Sequence, residues 1–404
     1  MGSSFHPFGS ETEYAEPAWY RGVPTPYYTQ SHVEFRGRVR SFVDKHLLPF
    51  AAEWDEQPES MPVRELSRLM AREGLFGAEW AEGHDAFHQI IFSDEMARVG
   101  AGGVMTALTV GPGIGLGPVV AGGEPALAAR VKREVLAAEK FICLAVTEAG
   151  AGSDVAAVQT TAVLEEGGEF FVVSGEKKFI SGAGYADYFT TAVQTSSGLS
   201  VLLVERGPGV TVRRLKTQGW HSSYTGFVVF DNVRVPVSHL IGREGEGFKV
   251  LMANFNSERL GLAVQSLRYA RVCLEESVMY ARRREVFGSP LWSSQVVRAK
   301  VAEMARRIEA GWAWAEQMAF AKTRGTPSSS LAGQLALLKV HATQAFELAA
   351  REASQIFGGS SYLRSGPGAT VERLYREVRV MAIGGGSEEI MDELATRRMR
   401  LAKL

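Results

Sequence analysis

The feature that most constrains the fold is a double change of texture: helical periodicity gives way to strand-like runs at Phe141 and returns near Glu246. Before it, Phe35, Val39, Phe42, Val43, His46 and Leu47 recur at three- and four-residue steps until Pro49, the spacing of one apolar helix face. Further helices are expected from Pro62 to near Gly74, over 88–99 and over about 124–138. The Gly-rich apolar stretch 101–120 reads as a buried helix whose glycines permit close packing. Short β-branched or aromatic runs then occupy 141–146, 160–164, 169–173, 188–193, 199–204, 210–212 and 227–230, with turn residues between. That spacing predicts a small antiparallel barrel or sandwich. Long periodic segments follow near 246–283, 291–323, 328–357 and 386–402, with stops at Gly288-Ser289-Pro290 and Gly325-Thr326-Pro327. Their lengths suit a four-helix bundle. The expected class is α+β: an irregular arm (1–26), an N-terminal helical domain (27–140), a central antiparallel β-barrel-like domain (141–242) and a C-terminal four-helix bundle (243–404).

At 404 residues the chain exceeds one simple core. A formal net charge of −1 gives no global field to recruit nucleic acid or an anionic membrane, so neither is expected as a partner. Basic clusters at Arg282-Arg283-Arg284 and Arg397-Arg398 are local. Cys143 and Cys273 are far apart and lack a CxxC pattern, so a reducing, cytoplasmic setting is expected rather than a disulfide framework. No secretory leader is read at the N-terminus and no apolar run is read as long enough to span a bilayer. The histidines are read as offering no ligand spacing, so no metal is expected.

Two glycine-rich segments stand out. The run Val146-Thr147-Glu148-Ala149-Gly150-Ala151-Gly152-Ser153-Asp154 closes a β-prone stretch, and its glycines let backbone turn tightly and lie against a flat ligand. Gly384-Gly385-Gly386-Ser387-Glu388-Glu389 precedes the last helix, with Ser387 a natural N-cap and acidic residues suited to the helix dipole. Three successive glycines there also ask for close approach of something flat.

The 146–154 run resembles the flavin-binding signature of the acyl-CoA dehydrogenase family, and further family-like segments follow in order from about Tyr27 to the C-terminus. Gly175 to Gly182 resembles a second flavin contact, with Phe179, Ile180 and Ser181 where the family usually has Trp, Ile and Thr or Ser. Tyr280 to Gly288 resembles the family's YAxxRxxFG segment, with Gln295 at the usual interval, and Gln355-Ile356-Phe357-Gly358-Gly359 resembles another cofactor stretch. The resemblance implies FAD, held by Val146, Thr147, Gly152, Ser153, Phe179, Ile180, Ser181, Arg284, Phe287, Gln295, Gln355, Gly358, Gly359, Ser387 and Glu389. Arg284 would meet the pyrophosphate and Phe287 the adenosine. The segment around Arg284 and Phe287 would reach a neighbouring subunit's flavin, which implies a homodimer or homotetramer. Electron-transfer flavoprotein is one acceptor that the resemblance admits.

Dehydrogenation beside a thioester needs a base for the α-proton. Many family members carry that Glu where this chain has Gly385. One branch, similar to long-chain and isovaleryl-type dehydrogenases, carries it at the position of Glu258. Glu258 shares a helix face with Leu251, Phe255 and Leu262, and Asn254, Phe255, Gly261 and Leu262, at three and four steps, offer no cation. Burial on that stripe would raise its pKa toward a working range. Arg259 resembles an arginine near the CoA phosphates, with a surface ion pair as its plain alternative, and Phe248 and Phe255 resemble residues near the pantetheine and thioester. Gly385 would also border the substrate. The expected activity is FAD-dependent α,β-dehydrogenation of an acyl thioester, with a flavin oxidase or monooxygenase, or a silent binding protein, as alternatives. The short link 194–198 and Tyr224, where Asp is common, leave CoA and acyl carrier protein open as carriers.

Overall fold

The computed structural model describes residues 8–399, with the side chains of 257, 398 and 399 outside the description. The ends of the expected arm and bundle, and the Arg398 side chain of the second basic cluster, therefore lie beyond the described residues. In chain order the first helices are α1 (Gln30–His46), α2 (Ala51–Glu56), α3 (Val63–Arg72), α4 (Ala86–Ala97), α5 (Gly102–Val110), α6 (Leu116–Gly122) and α7 (Pro125–Leu136). Strands β1 (Ile142–Ala145), β2 (Thr161–Leu164), β3 (Phe170–Ile180), β4 (Tyr188–Thr195), β5 (Gly198–Glu205), β6 (Val210–Arg214) and β7 (Gly226–Pro236) follow. The chain then forms α8 (Gly247–Arg283), α9 (Gln295–Thr323), α10 (Ser328–Phe357), α11 (Ala369–Ile383) and α12 (Glu388–Met399).

By packing, the chain forms two compact units, and the N-terminal helices divide between them. Of the described residues, one unit holds 8–52, Gly83–Ala101 and 259–399; the other holds Glu53–Glu82 and Gly102–Glu258. The division falls inside α8, just after Glu258.

In the β-containing unit the strand order is β1-β4-β2-β3-β7-β6, with β5 on β4. Most pairs are antiparallel, as the short turns require, but β1 and β2 each run parallel to β4. The 194–198 link is a tight hairpin in which Thr195 pairs with Gly198, whose φ of 108° needs glycine. Alternating residues of β3, β4, β5 and β7 (Phe171, Val173, Phe189, Leu202, Val228, Phe230) fill one core. A second core joins α6 and α7 to Ile142, Tyr188 and Leu251.

The stretch read as one helix over 101–120 is α5, a π-helical turn at Gly111–Gly115, and α6. Its glycines are needed for contact: a Cβ on Gly102 would lie 2.1 Å from the Trp220 ring, and one on Gly115 3.1 Å from Cys143 backbone. The segment Gly102–Gly122 is long and apolar enough to cross a membrane by length and composition, contrary to the expectation above, yet most of it is buried inside the protein. Core packing accounts for its apolarity.

In the helical unit, α10 packs against α9, α11 and α12. Helix α11 replaces the expected picture of four segments with five. Its Val371, Leu374, Val378 and Met381 recur at helical spacing, but the preceding Gly366-Pro367-Gly368 hid its start. Residues 8–26 are irregular apart from a 3₁₀ turn at Ala18–Arg21, and they are packed into this unit. Glu16 and Tyr20 are buried, and Glu16 accepts from Arg40 (2.9 Å) and Arg268 (2.7 Å). Arg268 also pairs with Asp94, and Arg40 with Glu95 at 2.8 Å.

The histidine reading needs correction, because His84 and His88 stand four residues apart. One ligand-type atom each of His32, Asp85 and His88 lie within 4.8 Å of one another. These atoms have capping roles. Thr29 N–H donates to His32 Nδ1 at 2.9 Å, which leaves the Nε2 hydrogen for Asp85 Oδ1 at 3.1 Å. Asp85 in turn accepts the N–H groups of Phe87 and His88 at the start of α4. A neutral imidazole has one lone pair, and that of His32 is used at Nδ1, so its Nε2 has none for a cation.

Candidate active site

The 146–153 turn leaves β1 and is tied down from below. Lys178 N–H donates to the Thr147 carbonyl at 2.8 Å, and Glu148 N–H to Ala151 O at 3.0 Å. Val146 is buried, Thr147 half-buried, and Gly152 and Ser153 exposed. Gly150 and Gly152 do not have positive φ, so tight turning is not their purpose, contrary to the sequence expectation. A Cβ on either would meet nothing within 4 Å. Neither backbone geometry nor packing within the chain demands glycine there.

Beside the turn runs β3. Its register against β7 shifts between Lys177 and Ile180, a bulge that breaks the strand's alternation. Phe179 sits in that bulge with φ of 62° and 58% of its surface exposed. A bulky residue in the left-handed region costs about 1–2 kcal/mol, and nothing in burial offsets it here. Ser181 is half-buried. Ile180 is different: its side chain belongs to the β core, so only its backbone is left for a ligand.

Within the helical unit, Arg284 follows α8, its N–H closing the helix on Tyr280 O at 2.9 Å, and it is exposed. Phe287 is fully exposed and also has positive φ, 52°. Tyr14, Ala138, Trp220, Tyr224 and Asn232 share a positive φ. What distinguishes Phe179 and Phe287 is that each is an exposed phenylalanine on a motif position. Gln295 opens α9 and Gln355 lies near the end of α10, both exposed. Gly358 has positive φ as the α10 cap, whereas Gly359 has ordinary φ and open space, like Gly152.

The 384–387 turn is held by two cations of the same unit. Buried Lys339 donates to Ala382 O at 2.6 Å and Gly386 O at 2.9 Å, and Arg259 Nε to Gly385 O at 3.3 Å. Arg259 is 5% exposed, which removes the surface ion-pair reading. With its Nε on a backbone carbonyl, it helps to hold this turn. Gly385 and Gly386 have φ of 67° and 108°, so backbone conformation alone explains two of the three glycines. Glu389, exposed at the start of α12, is held below the usual carboxylate range by its own backbone N–H and the half-buried Ser387 hydroxyl.

Glu258 is half-buried, and one of its carboxylate oxygens is closed off from solvent. The face assigned from spacing is apolar as expected: Leu251 is buried and Phe255 packs on the α6–α7 core of the β-containing unit. One turn earlier, Asn254 Nδ2 donates to Ile114 O at 3.1 Å in the π-helical turn. Phe248 is half-exposed. Tyr224 covers Gly184, where a Cβ would lie 2.3 Å from its ring.

Sequence reading passed over Glu148, Thr160, Lys177 and Lys339. Glu148 and Lys177 lie inside the quoted motifs. Strand alternation carried the signal for Lys177, since the residue between outward Glu176 and Lys178 must face inward.

Comparison with known proteins points to one family. The family models for the N-terminal, middle and C-terminal domains of acyl-CoA dehydrogenase match residues 29–139, 143–233 and 245–400. The chain is 36% identical to the acyl-CoA dehydrogenase apdG of Emericella nidulans, over 96% of this chain and 95% of that one. It is likewise 36% identical to the acyl-CoA dehydrogenase AFT10-1 of Alternaria alternata, over 96% of both. Among solved structures, an acyl-CoA dehydrogenase of Bacillus anthracis complexed with FAD superposes with a TM-score of 0.88 at 25% identity, covering 95% of this chain and 69% of that one. On the order of its elements, its motifs and these matches, the chain belongs to the acyl-CoA dehydrogenase family.

Proposed function

We propose that Glu258 is the base of an FAD-dependent dehydrogenation in which an acyl thioester loses its α-proton to the carboxylate and its β-hydrogen as hydride, leaving an α,β-unsaturated thioester. Family membership carries the reaction class and the cofactor. The observation that carries the residue assignment is the state of Glu258: a half-buried carboxylate with one oxygen shut off from water, on an apolar helix face, in a chain whose other candidate position is Gly385. Bound FAD supplies the acceptor for the β-hydride. The chain's own fit to that group rests on open glycines at 150, 152 and 359 and on strained, exposed Phe179 and Phe287. Thr147, Ser153 and Ser181 supply polar groups at the β-unit turn, and Arg284 a fork suited to pyrophosphate. Glu258 itself holds the abstracted proton at a carboxylate oxygen, away from bulk water.

Exposure of Phe287, Arg284 and Gln355 supports a homo-oligomer in which a second copy covers them. Acyl-CoA, or the same thioester on an acyl carrier protein, is the proposed substrate, and electron-transfer flavoprotein or an equivalent acceptor the electron partner. Both cysteines are buried free thiols, which suits a reducing cytoplasm.

The test is anaerobic bleaching of bound flavin by acyl-CoA. Glu258→Gln keeps size and polarity and should slow bleaching by about 10²–10⁴-fold while FAD content stays unchanged. A normal bleaching rate in that variant overturns the assignment. Replacing Arg284 with Ala should weaken FAD retention by about 1.5–3 kcal/mol, measured by flavin release on dilution.

A further inference from the structure

Beneath the 146–153 turn lies a buried ion pair that the reaction chemistry does not use. The Glu148 carboxylate accepts four donors: Gln159 N–H (2.6 Å), Thr160 N–H (3.0 Å), Thr160 Oγ1 (2.6 Å) and Lys177 Nζ (2.7 Å). Lys177, with no exposed surface, also donates to the Val146 carbonyl at 3.1 Å. Three segments therefore meet on one carboxylate: the turn itself, the start of β2, and β3. Close approach is built in, because Gly175 passes over Thr160 where a Cβ would lie 2.6 Å from its Cα.

The consequence for the turn is directional. Lys177 draws the Val146 carbonyl inward, and in a trans peptide the following Thr147 N–H must point the opposite way. The Thr147 carbonyl is held by Lys178 N–H, so the next peptide is fixed as well. A buried charged pair is a poor way to gain stability, but a good way to fix a backbone donor against rotation. We infer that Glu148 and Lys177, with Thr160, are positioning residues that aim the Thr147 backbone N–H at an acceptor atom of the flavin. This rests on the flavin reading of the turn given above.

The test uses the full chain stripped of flavin and titrated with FAD, followed by flavin fluorescence and visible absorption. Lys177→Met should raise the FAD dissociation constant by about 10- to 100-fold and shift the flavin absorption bands. Thr160→Val, which removes one donor and keeps the shape, should give a several-fold rise, and Lys177→Arg, which keeps the charge, should restore most of the affinity lost in Lys177→Met. Should Lys177→Met fail to fold, Thr160→Val and Lys177→Arg still decide the matter through affinity and band position. Folded Lys177→Met or Thr160→Val protein with wild-type FAD affinity and an unshifted spectrum overturns the inference alone. Failure of the wild-type chain to take up FAD overturns the flavin reading and this inference with it.

Discussion

The two glycine-rich turns, 146–153 in the β-containing unit and 384–387 in the helical unit, look alike in sequence and are both secured by a buried lysine, yet their glycines answer to different demands. In the helical unit Gly385 and Gly386 have positive φ, and a Cβ on Gly386 would lie 2.3 Å from Met391 Cε, so the fold itself requires glycine. In the β-containing unit Gly150 and Gly152 have ordinary φ and open space around them. The lysines differ too. Lys339 donates to one carbonyl at the end of α11 and one in the turn, whereas Lys177 divides its hydrogen bonds between one carbonyl and the Glu148 carboxylate. A glycine-rich run is therefore two different statements: in one turn the conformation requires glycine, and in the other nothing within the chain does.

The sharpest way to break this comparison is to remove each lysine. Lys339→Met strands the carbonyls of Ala382 and Gly386 and should lower unfolding free energy by about 2–5 kcal/mol. Lys177→Met strands the Val146 carbonyl and leaves the Glu148 carboxylate with three donors but no countercharge, so it should lower stability by about 3–5 kcal/mol. Chemical denaturation of both variants, read against wild type, gives the ranking. Equal losses would mean the two clamps are equivalent.

Next in size is the response to pH, where both units should gain stability as pH rises, but in different windows. Burial pushes the Glu16 carboxyl up, but Arg268 and Arg40 outweigh it and hold the group at about 2, against 4.5 unperturbed. A carboxylate with depressed pKa contributes stability above about pH 4.5 and loses it as pH falls toward 2, amounting to about 3 kcal/mol. Glu16→Gln should flatten that acid limb. For Lys177 burial dominates and Glu148 only partly offsets it, bringing the ammonium to about 8 from 10.5. Between those values the unfolded chain holds the proton that the folded chain has released, so this group makes stability rise with pH. That rise should vanish in Lys177→Met, as unfolding curves between pH 7.5 and 10.5 would reveal.

The smallest effects separate the glycines directly. Gly385→Ala should lower stability by about 1–2 kcal/mol through its left-handed φ. Gly152→Ala should change stability by less than about 0.5 kcal/mol and yet weaken FAD binding by about tenfold. Thermal melts with and without FAD distinguish the two. The same strain bears on moving the base: adding Gly385→Glu to Glu258→Gln places a side chain at a φ of 67°, so little activity should return in the bleaching assay.

What the sequence determined by itself was local and periodic. Runs of β-branched and aromatic residues set between turn residues located every strand of the main sheet, three- and four-residue recurrence located most helices, and Gly-Ser-Pro and Gly-Thr-Pro punctuation located their stops, because these patterns follow from the geometry of single segments. Motif order carried the family, and helix geometry put Glu258 on an apolar face. What only tertiary structure decided was every matter of partner and conformation. The sign of φ at 152 against 385, the bulge that exposes Phe179 while burying Ile180, and the turn of Arg259 onto a backbone carbonyl each depend on a neighbouring strand or loop. So does the meeting of Glu148 with Lys177, 29 residues apart in sequence, and of Lys339 with Gly386, 47 residues apart. A residue's type fixes what it can bond to. Which partner it meets is set by chain segments remote in sequence, and there the periodicity of a single segment carries no information.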